Sequence, residues 1–283
     1  MNKLILFLIS LLCIVACTNN FYSPENKELS DSRVLSFADV EWEQLNPARG
    51  DKSPKAATLW GERTGPGPAG FLLKPVDGFK SPPHIHNVAY RGVVISGLLH
   101  NDHPDAEMLW MKTGSFWTQP EGGVHITAAK GDDALAYIEV EDGFGVLPAK
   151  EAFESKDKAI NLEASKISWK EIGDKVDSAT TAMTAYLWGS SSNNKLAGRL
   201  LMLPDGYHGK IIASGSVFRV VLIQGVSDYQ LEGSEQIMGL KPGSYFSANR
   251  ESVHKVRCNA ESRCILYVRS NKMFDLKLDE GKS

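Results

Sequence analysis

His84 and His86 are one residue apart, and alternate side chains of a strand share a face, so both imidazoles can point the same way. His125, from a distant strand, could close a three-imidazole metal site. Neutral imidazole is a common ligand for zinc, iron, copper and nickel. The frame is regular: Gly78, five residues, His84-Ile85-His86, three residues, Tyr90, six residues, Gly97. A second block reads Gly114, five residues, Pro120-Glu121-Gly122, two residues, His125. Three neutral ligands leave the full charge of a divalent ion in place. That charge would acidify a bound water and attract carboxylates, enolates or enediolates. Tyr90 is the candidate catalytic residue, with three roles open: phenolate ligand, hydrogen-bond donor to a bound water or substrate, or packing.

These two blocks resemble the signature motifs of the cupin superfamily, with Tyr90 in the place of its glutamate ligand and Ala129 in the place of its asparagine. The resemblance implies a β-barrel that holds one divalent transition metal on His84, His86 and His125. Zinc or iron is favoured, with manganese and nickel also in range. Trp117 and Gln119, just before Pro120, are candidate substrate-binding residues at the barrel mouth. Arg91 should face away from the ligands. His100 and His103, with Asp102 or Asp105, could form a second metal cluster, though such a group is more often a solvated loop.

The elements that position these residues read as strands. Val93–Gly97, Leu135–Val140 and Val217–Ile223 are β-branched or aromatic runs bounded by Gly, Pro and Asp turns. The best helix candidate is Lys150–Lys158. The body repeats at a period near 128 residues: Trp60-Gly61 returns as Trp188-Gly189, Gly97 as Gly225, and His125 as His254. The spacing indicates two copies of one domain rather than a solenoid. The second copy carries Ile212, Ser214 and Phe218 where the first has His84, His86 and Tyr90, so it should hold no metal and serve as a built-in packing partner. The expected fold class is all-β: two tandem cupin jelly-roll barrels, a bicupin. The expected divisions are a signal segment over 1–17, a tether over 18–36, a metal-binding cupin over 37–150 and a degenerate cupin over 151–283.

A net charge of −3 without a basic run disfavours nucleic acid as a partner. Lys3 followed by the apolar stretch Leu4–Val15 reads as an export signal, too short for an ordinary membrane span. Ile14-Val15-Ala16-Cys17 resembles a bacterial lipobox, which implies a lipidated Cys17 and a lipid-anchored protein. Thr18 after the cysteine favours the outer membrane, facing the periplasm. Cys258 and Cys264 flank five residues that read as a hairpin loop, which places them in disulfide range in an exported protein.

The two-domain arrangement behind a lipoprotein signal, with Tyr-Arg-Gly after the His-x-His and Gly-Ser-Phe-Trp-Thr-Gln-Pro before the third histidine, is similar to a bacterial family of bicupins without assigned function. The first domain also resembles the cupin of zinc-dependent anti-sigma factors, but the sigma-binding helical domain is absent. Two function classes remain: a metalloenzyme similar to three-His dioxygenases, acting on a small anionic molecule, and a non-catalytic periplasmic binding or sensing module with a structural metal. A homodimer is a further expected partner state.

Overall fold

The computed structural model describes residues 32–173, 181–190 and 194–279. The signal segment, Cys17 and the tether up to residue 31 lie outside the described residues. Among the described residues the only helices are short 3-10 turns, and none is long and apolar enough to cross a membrane. The chain is all-β.

Two seven-stranded sheets carry the repeat. The first runs Ile160–Leu162, Phe116–Gln119, Tyr90–Asp102, Ile126–Val140, Ala69–Lys74, Lys55–Trp60, Glu43–Gln44. The second runs Ser32–Leu35, Tyr245–Ala248, Phe218–Gln224, Cys264–Ser270, Ala197–Leu203, Ala182–Gly189, Lys170–Ile172. The order is the same strand for strand, and so is the register: Tyr90 lies opposite Gln119 in the first sheet, and Phe218 opposite Ala248 in the second.

Each half lends its leading strand to the other. Ser32–Leu35 precedes the first copy yet pairs with Tyr245–Ala248 of the second, and Ile160–Leu162 pairs with Phe116–Gln119 of the first. The stretch expected as tether is therefore an edge strand over its last residues. Its polar composition suits an exposed edge, and its backbone bonds go to the neighbouring sheet. The expected boundary at 150/151 is likewise crossed by the chain's return to the first sheet. The helix expected over Lys150–Lys158 is a single 3-10 turn at Ala149–Glu151, because the following residues extend towards the Ile160–Leu162 pairing.

The core between the sheets is built from both copies. Leu59, Leu72, Val93 and Phe116 pack with Leu200, Val221, Tyr245 and Tyr267 in one buried cluster. Around it the two tryptophans of the repeat are crossed: Arg91 stacks on Trp188 at 4.0 Å and Arg219 on Trp60 at 4.2 Å. Such stacks contribute about 0.5–2 kcal/mol each. Arg91 thus faces away from the histidines.

A third, five-stranded sheet belongs to the second copy, and the short strand His84–His86 pairs with Val146–Pro148 in the first. Cys258 and Cys264 are bonded, with Cα atoms 5.9 Å apart. Their loop is not a hairpin. Cys258 ends a strand of the five-stranded sheet and Cys264 begins one of the seven-stranded sheet, so the bond closes a corner between sheets.

Candidate metal centre

Backbone pairing brings the three histidines together. His84 donates its N–H to the His125 carbonyl at 3.1 Å and accepts the His125 N–H at 3.0 Å. Gly122 N–H donates to the His86 carbonyl at 2.9 Å. Gly122 has φ +69, and a Cβ there would meet Phe153 at 2.6 Å, so the turn into His125 requires glycine. The ring centroids of His84 and His125 lie 4.3 Å apart, and His86 is 5.0 Å and 5.1 Å from them. Their ligand atoms all fall within 4.8 Å of one another. Closing on an ion at about 2.0–2.1 Å would draw them somewhat nearer.

Each ring is oriented by a carbonyl behind it. Nδ1–H of His84 donates to Pro82 O at 2.9 Å, that of His86 to Gly145 O at 2.8 Å, and that of His125 to Gly123 O at 3.1 Å. A carbonyl only accepts, so Nδ1 carries the proton and the Nε2 lone pair is left for an ion. Burial pushes the pKa of His125 down to about 3, helped by His84. Burial and the two other imidazoles hold His86 well below its ordinary value, and burial lowers His84, opposed by its bond to Pro82. All three are neutral at pH 7, the form that binds metals. The donor set fits a divalent transition ion with imidazole affinity.

Tyr90 stands beside this cluster. Its hydroxyl donates to Asn101 Oδ1 at 2.7 Å and lies 3.3 Å from His125 Nε2. Burial raises its pKa, against smaller opposing effects of Trp117, Thr127 and Asn101, so the phenol is neutral. Thr127 Oγ1 also donates to Asn101 Oδ1, while Asn101 Nδ2 donates to Gln119 Oε1. Gln119 Nε2 donates in turn to Gly123 O, the carbonyl that orients His125. Gln119 is therefore committed behind the site and does not line the cavity. Trp117 does line it, and its buried Nε1 lacks a hydrogen bond of proper geometry although the ring sits near Tyr90. The indole packs flat on Gly92, where a Cβ would come within 2.1 Å of the ring.

The cavity in front of the histidines measures about 350 Å³. Phe71, Phe79, Phe144 and Leu73 form much of its wall, and Phe144 stacks on His86 with centroids 4.2 Å apart. Arg49 is its one Lys or Arg side chain, and no carboxylate lines it.

A family model described as a domain of unknown function, DUF4437, matches residues 33–277. The chain belongs to this family. No curated protein matches it. Among solved structures it is similar to a provisionally assigned dioxygenase of Nostoc punctiforme, with TM-score 0.61, 14% identity, and 89% of this chain and 87% of that one covered. It is also similar to the oxalate decarboxylase of Lactobacillus farciminis in its formate complex, with TM-score 0.55, 12% identity and coverage of 87% and 88%. AerE of Microcystis aeruginosa gives TM-score 0.52, 14% identity and coverage of 82% and 96%. These are cupin-fold proteins, and the likeness shows that this chain shares their fold.

Elsewhere in this DUF4437 chain the expected second metal cluster is not assembled. His100 is buried against Trp110, whereas His103 is exposed, 3.7 Å from Asp105. Among the described residues, His84, His86 and His125 are the one group of three or more metal-ligating side chains. The second copy is filled instead. Phe218, at the position of Tyr90, stacks on His254 with centroids 5.0 Å apart. His254 pairs Nδ1 with Tyr229 Oη at 2.8 Å and Nε2 with Ser252 Oγ at 2.9 Å, so both ring nitrogens are occupied.

Sequence reasoning missed Asn101, Arg49 and Phe144. Asn101 follows Tyr90 by eleven residues, an odd number that plain alternation assigns to the opposite face. Register shifts between Val94 and Leu98 change the face and bring the two together. Arg49 comes from the 3-10 turn Pro47–Lys52 and Phe144 from a loop, segments too short or irregular for periodicity to speak.

Proposed function

We propose that this protein is a metal-dependent bicupin that binds and transforms a small anionic molecule at one transition-metal ion held by His84, His86 and His125. One observation carries the reading: three Nδ1–carbonyl bonds fix three neutral rings whose ligand atoms lie within 4.8 Å of one another, at a cavity lined by His84 and His86. An ion there would supply Lewis acidity, polarising a bound oxygen and lowering the pKa of a bound water to about 7 for zinc. The chain's own residues do the rest. Tyr90, held by Asn101, keeps a proton at its hydroxyl beside the ligand atoms. Phe71, Phe79 and Phe144 exclude water around the bound molecule. Each copy is read as a jelly-roll barrel, the second without metal.

The likeness to a provisionally assigned dioxygenase and to oxalate decarboxylase supports an enzyme, with iron pointing to three-His oxygenase chemistry and zinc to isomerase-like or hydrolytic chemistry. The lack of a carboxylate in the cavity wall favours a second reading, a non-catalytic periplasmic binding or sensing module, because it leaves no strong general base. The Ile14–Cys17 sequence supports attachment of the whole protein by lipid at Cys17 to the outer membrane. The deciding experiment is elemental analysis of protein purified from its native compartment. One iron or zinc per chain supports the metal reading, and metal-free protein that resists reloading overturns it.

A further inference from the structure

The cavity wall is unevenly charged, and the unevenness specifies a ligand. It is lined by the imidazoles of His84 and His86 and by aromatic and aliphatic side chains, and its one Lys or Arg side chain is the exposed Arg49. Among the described residues no carboxylate pairs with Arg49, whose guanidinium instead lies 5.8 Å from the centroid of Phe79. The turn that carries it is firmly built. Asn46 Oδ1 accepts from Ala48 N–H at 3.1 Å, Gln44 Nε2 donates to Gly50 O at 3.1 Å, and Ser53 Oγ accepts from Asn46 N–H at 2.9 Å. Gly50 has φ +54, which lets the chain reverse directly after the arginine.

A planar guanidinium beside an aromatic wall, without an acidic partner, is suited to bidentate capture of a carboxylate. Holding the turn in advance reduces the ordering cost of that capture. The apolar wall, by contrast, gives a small dianion such as oxalate nothing to replace its water with.

We infer that the cavity takes an apolar-bodied carboxylate, aromatic or branched aliphatic, whose anionic group is held by Arg49 at the solvent end while its other end approaches the histidines. This rests on the reading of the cavity as the ligand site. Arg49 is a specificity residue that touches the ligand and takes no part in holding metal.

The test uses calorimetric titration of the metal-loaded folded chain with 3-phenylpropionate. Its uncharged analogue 3-phenylpropanol and the small dianion oxalate serve as comparisons, with metal content measured in parallel. The carboxylate should bind about tenfold or more tighter than the alcohol. Arg49→Gln should remove that margin while leaving alcohol affinity and metal content unchanged, and Arg49→Lys should restore part of it. Because Arg49 is exposed, these variants should match the parent in melting temperature. Equal affinity of parent and Arg49→Gln for 3-phenylpropionate overturns the inference. So does oxalate binding as tightly as 3-phenylpropionate, or failure of both phenyl probes to bind. If metal is absent but the Arg49-dependent margin persists in the same titration, the metal reading fails and this inference stands.

Discussion

Glu139 and Arg269 hold equivalent positions in the two copies, and they bond to each other. Glu139 lies opposite Arg91 across its sheet, and Arg269 opposite Arg219 across the other. The repeat would place like residues at this junction, but one copy supplies the carboxylate and the other the guanidinium. Both are buried, at 1% and 3% side-chain exposure. Tyr137 and Tyr267, themselves repeat mates, both donate to Glu139 Oε2, and Arg269 also pairs with Glu141 at 2.8 Å.

Removing one partner of such a pair leaves a buried charge uncompensated. Arg269→Ala should therefore cost about 3–5 kcal/mol, and adding Glu139→Gln should recover part of it because the amide still accepts from both tyrosines. Urea denaturation followed by fluorescence reads both changes. Since the copies exchange strands and share a core, unfolding should be a single transition. Two separated transitions would show that the halves stand alone.

Metal content should be one ion per chain. His84→Ala, His86→Ala and His125→Ala should each abolish tight binding, since two imidazoles compete poorly with water. His254→Ala should leave the content unchanged, because both nitrogens of His254 are already bonded within its own half. Two ions per chain, or full occupancy in His125→Ala, would contradict the assignment.

Tyr90→Phe separates the roles of the hydroxyl. Burial holds the phenol neutral, so the variant should keep its metal and lose about 1 kcal/mol of stability with the bond to Asn101. Turnover or ligand affinity should fall. A drop in metal content instead would make Tyr90 a ligand.

His254 should make the protein acid-sensitive. Burial lowers its folded-state pKa to about 4, against 6.5 for the exposed group. Above pH 6.5 the ring is neutral in both states and has no effect. As pH falls from 6.5 towards 4 the unfolded chain takes up the proton first, and stability is lost by roughly 3 kcal/mol. The metal histidines shift stability in the same direction, so the measurement is the difference between parent and His254→Gln. Urea midpoints at pH 7 and pH 4 should fall less in the variant, and equal losses would refute the contribution of His254.

The three-histidine cluster was legible in the sequence because it depends on short spacings. His84 and His86 share a face by strand periodicity, and the glycines and Pro120 mark the turns around His125. The repeat was legible for the same reason, with Phe218 at the position of Tyr90, but the expected match of Ile212 and Ser214 to His84 and His86 is one residue out: Ile211 pairs with His254 as His84 pairs with His125, and Ile211 and Ala213 are the side chains buried in the core.

Tertiary structure decided what spacing does not encode. Whether Ser32–Leu35 is tether or strand depends on the exposed edge of Tyr245–Ala248, more than two hundred residues away. Asn101 reaches Tyr90 because irregular pairing shifts the face midway along a strand. Gln119 turned from a cavity residue into a support for His125 because its amide found Asn101 and Gly123. Arg49 entered the cavity wall on the short 3-10 turn Pro47–Lys52. The sequence alone determined the local order of ligands and turns, since backbone geometry repeats every few residues. The assignment of partners to hydrogen bonds, edges and charges belonged to the folded chain, since it depends on which distant groups arrive at the same place.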